Sequence, residues 1–331
     1  MQFKPFYNDW LDCSELFDYS KKPILPVDLP HDFFKNLKFD KDSIRSYRMN
    51  AARRTAESLG DNPALCLSGG IDSQCMLQAW QEADLKFEAY TLVFDDHLNW
   101  QDVSHAREFC KWRKIKLNEI PFNVVSFLTR ENFDYGLKYK CASPHFNVHY
   151  KMFELLRDMG YTGVCCGGSY LMKNNSVWGE NLTANQMNFI NFSSISTYPA
   201  QGSFLSFDPE LTWVLSLLSN ALNIDYQFKN PYKHVDQNDI DTMNKIRYES
   251  KVMAYKRAGF DIIEQDKKYT GFEYVKEYFA KRSGDGWEFE RRFRHPLEKL
   301  ILVSQHSPNV SLNQQHLQDI ESILKTTDLA I

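Results

Sequence analysis

The segment Ala64-Leu65-Cys66-Leu67-Ser68-Gly69-Gly70-Ile71-Asp72-Ser73 constrains this chain more than any other. Four apolar residues run without polar alternation and break at Ser-Gly-Gly. A run that short and that apolar reads as a strand buried on both faces. Met76, Leu77 and Trp80 then recur at helical spacing, which predicts a helix over 72–83. A strand entering a helix through a tight glycine turn opens a βαβ unit. Such a unit can close only onto a parallel neighbour.

The alternation continues along the chain. Residues 87–94 (FEAYTLVF), 115–120 and 163–166 (GVCC) read as strands, and 102–114 and 145–159 as helices. Ser143-Pro144 is a helix-start signal for the last of these. The fold expected is α/β: a Rossmann-like parallel sheet with helices on both faces, of the adenine nucleotide alpha hydrolase-like type, followed by a mostly helical C-terminal region. A further helix is expected over 41–58, from Ile44, Tyr47 and Ala51, and others over 211–222, 237–258 and 272–281. Residues 171–202 are polar and Asn-rich without a period, as in an insertion or a lid. The domain reading is 1–60 as an extension packing on the core, 61–205 as the nucleotide-binding unit and 206–331 as a helical companion.

Composition narrows the function classes. Lys+Arg 39 against Asp+Glu 43 leaves a net charge of −4, unlike a protein that coats nucleic acid or a membrane surface. Seven cysteines, no C-x-x-C pair and no signal-peptide pattern point to a reduced, cytoplasmic chain. No stretch approaches the roughly 18 apolar residues of a membrane span.

The turn at 68–73 carries the chemistry. Two glycines let main-chain N–H groups converge, and the next helix adds its unpaired N–H groups and positive dipole end. Ser68 and Ser73 add hydroxyls. This is a socket for phosphate, without the Lys of G-x-x-x-x-G-K-[ST]. Asp72 would repel phosphate unless a cation such as Mg²⁺ lies between them. Read structurally, Asp72 is instead an ordinary helix N-cap.

Ser-Gly-Gly-x-Asp-Ser after a strand resembles the signature loop of the PP-loop ATP pyrophosphatases, nearest in character to asparagine synthetase and β-lactam synthetase. The resemblance covers roughly residues 64–169. It implies ATP and Mg²⁺ as cofactors, and cleavage of ATP to AMP and pyrophosphate with activation of a carboxylate or carbonyl oxygen. It assigns Leu67, Ser68, Gly69, Gly70, Asp72 and Ser73 to the pyrophosphate portion of ATP, and Val93, Phe94 and Asp95 to the adenine side. Gly167 and Gly168 stand where those synthetases carry Gly-x-x-Asp-Glu before Gly-Gly-Tyr, but the Asp-Glu pair is absent here. The metal carboxylates expected are therefore Asp72 with Asp95 or Asp96. A late Lys is also implied. Lys267 and Lys268, ahead of Thr270-Gly271, are the candidates, with Arg291, Arg292 and Arg294 as rivals.

An attached glutaminase is not expected, because position 2 is Gln and about 60 residues precede the loop. The partners expected are a small-molecule acceptor and a separate ammonia or amine donor. The alternatives are a tRNA-base-modifying enzyme and a non-catalytic nucleotide-binding protein on the same fold. Three further features have bland readings. Cys141, His145 and His149 have conceivable zinc spacing but lack H-E-x-x-H. Cys165-Cys166 reads as one core-facing and one site-facing thiol. The basic run Lys111-Trp112-Arg113-Lys114-Ile115-Lys116 reads as a solvated helix end, with RNA contact as the sharper possibility.

Overall fold

The computed structural model describes residues 10–11, 24–171, 173–174, 177–178, 189, 192–220, 237–265, 271–301 and 309–326. The sheet consists of β1 (Pro63–Cys66), β2 (Glu88–Phe94), β3 (Leu117–Phe122), β4 (Gly163–Cys166) and β5 (Ala200–Gln201). Its order is β3-β2-β1-β4-β5, with every neighbouring pair parallel. The central strand is β1, buried at all four positions, as its unbroken apolar run requires. β3 lies at an edge, and this is why it accepts Pro121, which has no N–H to give a ladder. It starts two residues later than the sequence pattern suggests.

Besides a single helical turn at Phe33–Asn36, the described α-helices include α1 (Lys41–Leu59), α2 (Ile71–Glu82), α3 (Trp100–Arg113), α4 (Val124–Arg130), α5 (Asn132–Tyr139), α6 (Pro144–Asp158), α7 (Pro209–Asn220), α8 (Gln237–Arg257), α9 (Glu273–Ser283), α10 (His295–Leu300) and α11 (Gln314–Thr326). Asp40 caps α1 by accepting from the Ser43 N–H at 3.0 Å, and Gly60 ends it at φ 85°. α4 and α5 had no periodic signal. They are too short for one and fill the turn between β3 and α6.

Strand alternation splits the core into two layers. Leu65, Leu67, Ala89 and Cys165 point to the layer of α1, α2, α3, α7 and α8. Ala64, Cys66, Tyr90, Leu92 and Val164 point to the layer of α4, α5, α6 and α9. Helices from after position 206 thus contribute to both layers. Within 171–202, Ala200–Gln201 adds the outer strand beside β4.

Two polar ties bring the C-terminal helices to the sheet. Arg48 of α1 is buried, pairs with Glu82 of α2 at 2.9 Å and lies over the Phe260 ring at 4.7 Å. Buried Gln78 and Gln74 of α2 accept from the Asp261 and Ile263 N–H groups at 2.8 and 2.7 Å. These bonds strap residues 261–265 across α2. A two-stranded parallel ribbon joins Ile24–Pro26 to Asn309–Ser311. Among the described residues, no helix is long and apolar enough to cross a membrane.

Leu77 is fully buried between α2 and its neighbours. Leu77→Ala is expected to lower the unfolding free energy by about 2–5 kcal/mol. In urea titration this would appear as a lower midpoint at unchanged slope.

Candidate active site

The loop after β1 is held open by bonds to its outer side. Gly69 is at φ +79°, and a Cβ there would lie 2.1 Å from the Asp102 carbonyl oxygen, so only glycine fits. The Gly69 carbonyl accepts from Gln74 Nε2 at 3.0 Å and Gln265 Nε2 at 3.2 Å. Those two amides hold the carbonyl dipole, leaving the opposite face of the loop to N–H groups. Gly70 is the N-cap of α2 and offers no side chain to its first N–H groups. An uncapped helix N-terminus of this kind accepts an anion. The Ser73 hydroxyl donates to the Gly70 carbonyl at 2.8 Å and lies 3.4 Å from the Ser68 hydroxyl.

β4 closes the other side. A Cβ on Gly167 would sit 2.5 Å from the Asp72 backbone, and one on Gly168, at φ +68°, 2.3 Å from Ser203 Cα. Both glycines are thus required by close backbone approach, which brings the exit of β4 against the start of α2.

A cavity of about 250 Å³ lies over the carboxyl ends of β1, β2 and β4, where ligands of such sheets bind. Leu67, Ser68, Asp72, Ser73, Phe94, Gly167 and Gly168 line it. Gly69 and Gly70 form the loop behind that lining. Phe94 packs edge-on to Phe272, with centroids 5.6 Å apart, at the β2 end. Val93 lies on the strand beside Pro121, outside the lining residues.

Asp95 and Asp96 are not brought to the cavity. Asp95 accepts from the Val124 N–H at 3.0 Å and so positions the start of α4. Asp96 is exposed in a turn at φ 51°. Lys267 and Lys268 lie outside the described residues. Arg291 pairs with Asp285, and Arg294 with Glu298 at 2.7 Å.

The structure brings in residues that sequence reasoning missed. Lys251 of α8 is buried and donates to both Asp72 carboxylate oxygens, at 2.9 and 3.1 Å. Tyr255, one turn later and fully buried, also donates its hydroxyl to Asp72. No local pattern marks Lys251; only its spacing of four from Tyr255 puts the two on one helix face. Asp102, in the first turn of α3, lines the cavity, and burial plus the nearby Glu273 push its carboxyl up to about 7. Buried Asn99 accepts from the Phe94 N–H and donates to the Leu92 carbonyl, both at 2.9 Å, fixing the β2 end. His149 lines the far wall, and burial holds its imidazole down to about 4, hence neutral. His145 is wedged against Phe272 and is likewise held down to about 3, chiefly by burial. Among the described residues, no three His, Cys, Asp or Glu side chains converge as a metal site.

The signature loop sits on the central strand of a sheet in the order 3-2-1-4-5. The chain has a Rossmann-like α/β fold. No protein-family model and no curated protein matches the sequence. Among solved structures, an NMN synthetase from Francisella tularensis is similar over 39% of this chain and 54% of its own, at 18% identity and a TM-score of 0.30. The chain thus spans about half the length of that synthetase. The U34-tRNA thiolase NcsA from Methanococcus maripaludis, solved with its [4Fe-4S] cluster, is similar over 82% of this chain and 86% of its own, at 13% identity and a TM-score of 0.37. At such distances the reaction of neither is carried over.

The two loop glycines separate cleanly by substitution. Gly70 is not at positive φ, and a Cβ there would meet only the Ser68 hydroxyl at 3.5 Å. Gly69→Ala is expected to cost about 2 kcal/mol or more and Gly70→Ala about 0.5 kcal/mol or less, read by thermal unfolding.

Proposed function

We propose that the chain is an ATP-dependent, AMP-forming ligase that adenylates a carboxylate or carbonyl oxygen of a small molecule for attack by ammonia or an amine. The observation that carries this reading is the Asp72–Lys251–Tyr255 cluster at the uncapped start of α2. An acid and a base thereby stand paired at the anion socket. In the reading, the loop N–H groups and the Ser68 and Ser73 hydroxyls take the β- and γ-phosphates of ATP. Phosphate oxygens compete for Lys251, which turns from Asp72 toward the α-phosphate. There it stabilises the charge that grows as the acceptor oxygen attacks phosphorus and pyrophosphate leaves. Tyr255 keeps its hydroxyl on Asp72 and holds that carboxylate in place.

The acidic lining fits a divalent cation. Asp102 is a half-buried carboxyl on the cavity wall, pushed up by its desolvation and by the nearby Glu273. Asp72 and Asp102 would hold Mg²⁺, which screens the triphosphate charge; one or two carboxylates plus phosphate oxygens is its usual set. A second reading, a nucleobase carbonyl as acceptor, is favoured by exposed Trp112 beside exposed Lys111, Lys114 and Lys116. It requires salt-sensitive tRNA binding at low salt, and absence of such binding removes it.

Labelled ATP with candidate acceptors should give AMP and pyrophosphate; formation of ADP instead sinks the ligase reading. Lys251→Met is expected to lower kcat by about 10²–10³. Asp72→Asn should abolish turnover, with unchanged circular dichroism in both variants. Mg²⁺ binding follows the Asp102 proton. Its raised value keeps the carboxyl protonated until about pH 7, and the metal takes the ionised form. Mg²⁺-dependent ATP binding should therefore weaken as pH falls through about 7. Asp102→Asn should flatten that dependence in fluorescence titrations.

A further inference from the structure

Cys66 ends β1 and Cys166 ends β4, and the two are register partners on adjacent parallel strands. Adjacent strands lie about 4.8 Å apart. That spacing falls inside the roughly 4.4–6.8 Å between Cα atoms of disulfide-bonded cysteines. Both side chains line the cavity, and the neighbouring Cys166 thiol adds to burial in pushing the Cys66 thiol up. Cys165, though next in sequence, points to the opposite layer of the core and is fully buried there. The pairing is therefore between strands that are far apart in sequence, and the visible Cys-Cys dipeptide is not the pair.

We propose that Cys66 and Cys166 are a dithiol site that a peroxide closes reversibly into a disulfide on the cavity wall, weakening nucleotide binding. Cys166 reacts first because it is only partly buried, whereas burial pushes the Cys66 thiol up. The Cys166 thiolate attacks the peroxide, the O–O bond breaks and hydroxide leaves, giving a sulfenic acid. The Cys66 sulfur then attacks the Cys166 sulfur, the S–S bond forms, the S–O bond breaks and water leaves. The two thiols lose two hydrogens in total and hydrogen peroxide becomes two waters. Each cysteine immediately precedes a segment that shapes the site, Leu67-Ser68 on one side and Gly167 on the other. Gly167 packs directly against the Asp72 backbone. A covalent link just behind both segments constrains how they can part around a triphosphate. This last consequence rests on the nucleotide reading above.

The test uses the full chain. Reduced protein is treated with hydrogen peroxide, free thiols are capped with N-ethylmaleimide, and unreduced peptides are mapped by mass spectrometry. The expected product is a Cys66–Cys166 peptide pair lighter by two hydrogens and released by dithiothreitol. Cys165→Ala should retain it. Cys66→Ser should lose it and let Cys166 proceed to sulfinic acid. Absence of the pair in the unmutated chain, or a pair that uses Cys165, overturns the proposal. ATP affinity is measured in parallel and should fall about tenfold on oxidation and recover on reduction, a change of about 1.4 kcal/mol. Unchanged affinity in cross-linked protein overturns the effect on binding. Should the reduced chain fail to bind ATP while the cross-link forms, the nucleotide reading falls and the dithiol stands.

Discussion

The start of α2 is where every other part of the structure meets. A helix that begins without a side-chain cap leaves N–H groups unpaired. Here they face a cavity with a carboxylate beside them in the first turn, at Asp72. The arrangement is electrostatically coherent because Lys251 and Tyr255 arrive from α8, and the carboxylate is partly shielded from the socket it borders. Burial gives that pair its significance. Lys251 is almost fully enclosed, so its charge acts in a medium where it is screened far less than at the surface.

Delivery of Lys251 depends on distant packing. Gln74 and Gln78, buried polar residues of α2, use their side-chain amides to bind the 261–265 strap that follows α8. Gln265 at the end of that strap bonds the Gly69 carbonyl. The helix that presents the loop, the helix that presents the lysine and the loop itself are thus one hydrogen-bonded unit. Buried amides specify such a unit strongly, since each lost partner leaves a desolvated polar group.

Much of the architecture was legible because the sheet follows simple rules. β1 and β4 read as strands from their unbroken apolar runs, and the Ser-Gly-Gly turn marked the end of β1, where the cavity opens. The loop glycines were legible too, since only glycine meets the positive φ and the close contact at Gly69. What was illegible depends on pairing at long range. Lys251 is one lysine in an ordinary helical pattern, and nothing local distinguishes it from Lys245 or Lys256. Asp102 looks like a first-turn acid that favours the helix dipole; its close approach to Gly271 emerges only in three dimensions. Asp95 and Asp96 misled in the opposite sense. They sit at the right strand end, but one is spent on the Val124 N–H and the other faces solvent.

The parallel ribbon between Ile24–Pro26 and Asn309–Ser311 has a consequence for how the chain comes to be folded. Its two strands lie on either side of the whole α/β sheet in sequence, so they meet only after everything between them has been made. During synthesis the sheet can assemble from its own consecutive βαβ units, which need only nearby residues. The segment around residue 24, although made first, has to wait for its partner. Trp10, which donates to the Phe207 carbonyl at 3.1 Å, waits likewise for a later helix region. The segment around residue 24 is therefore among the last parts of the described structure to settle, and its ordering reports that residues as far as Ser311 have been made.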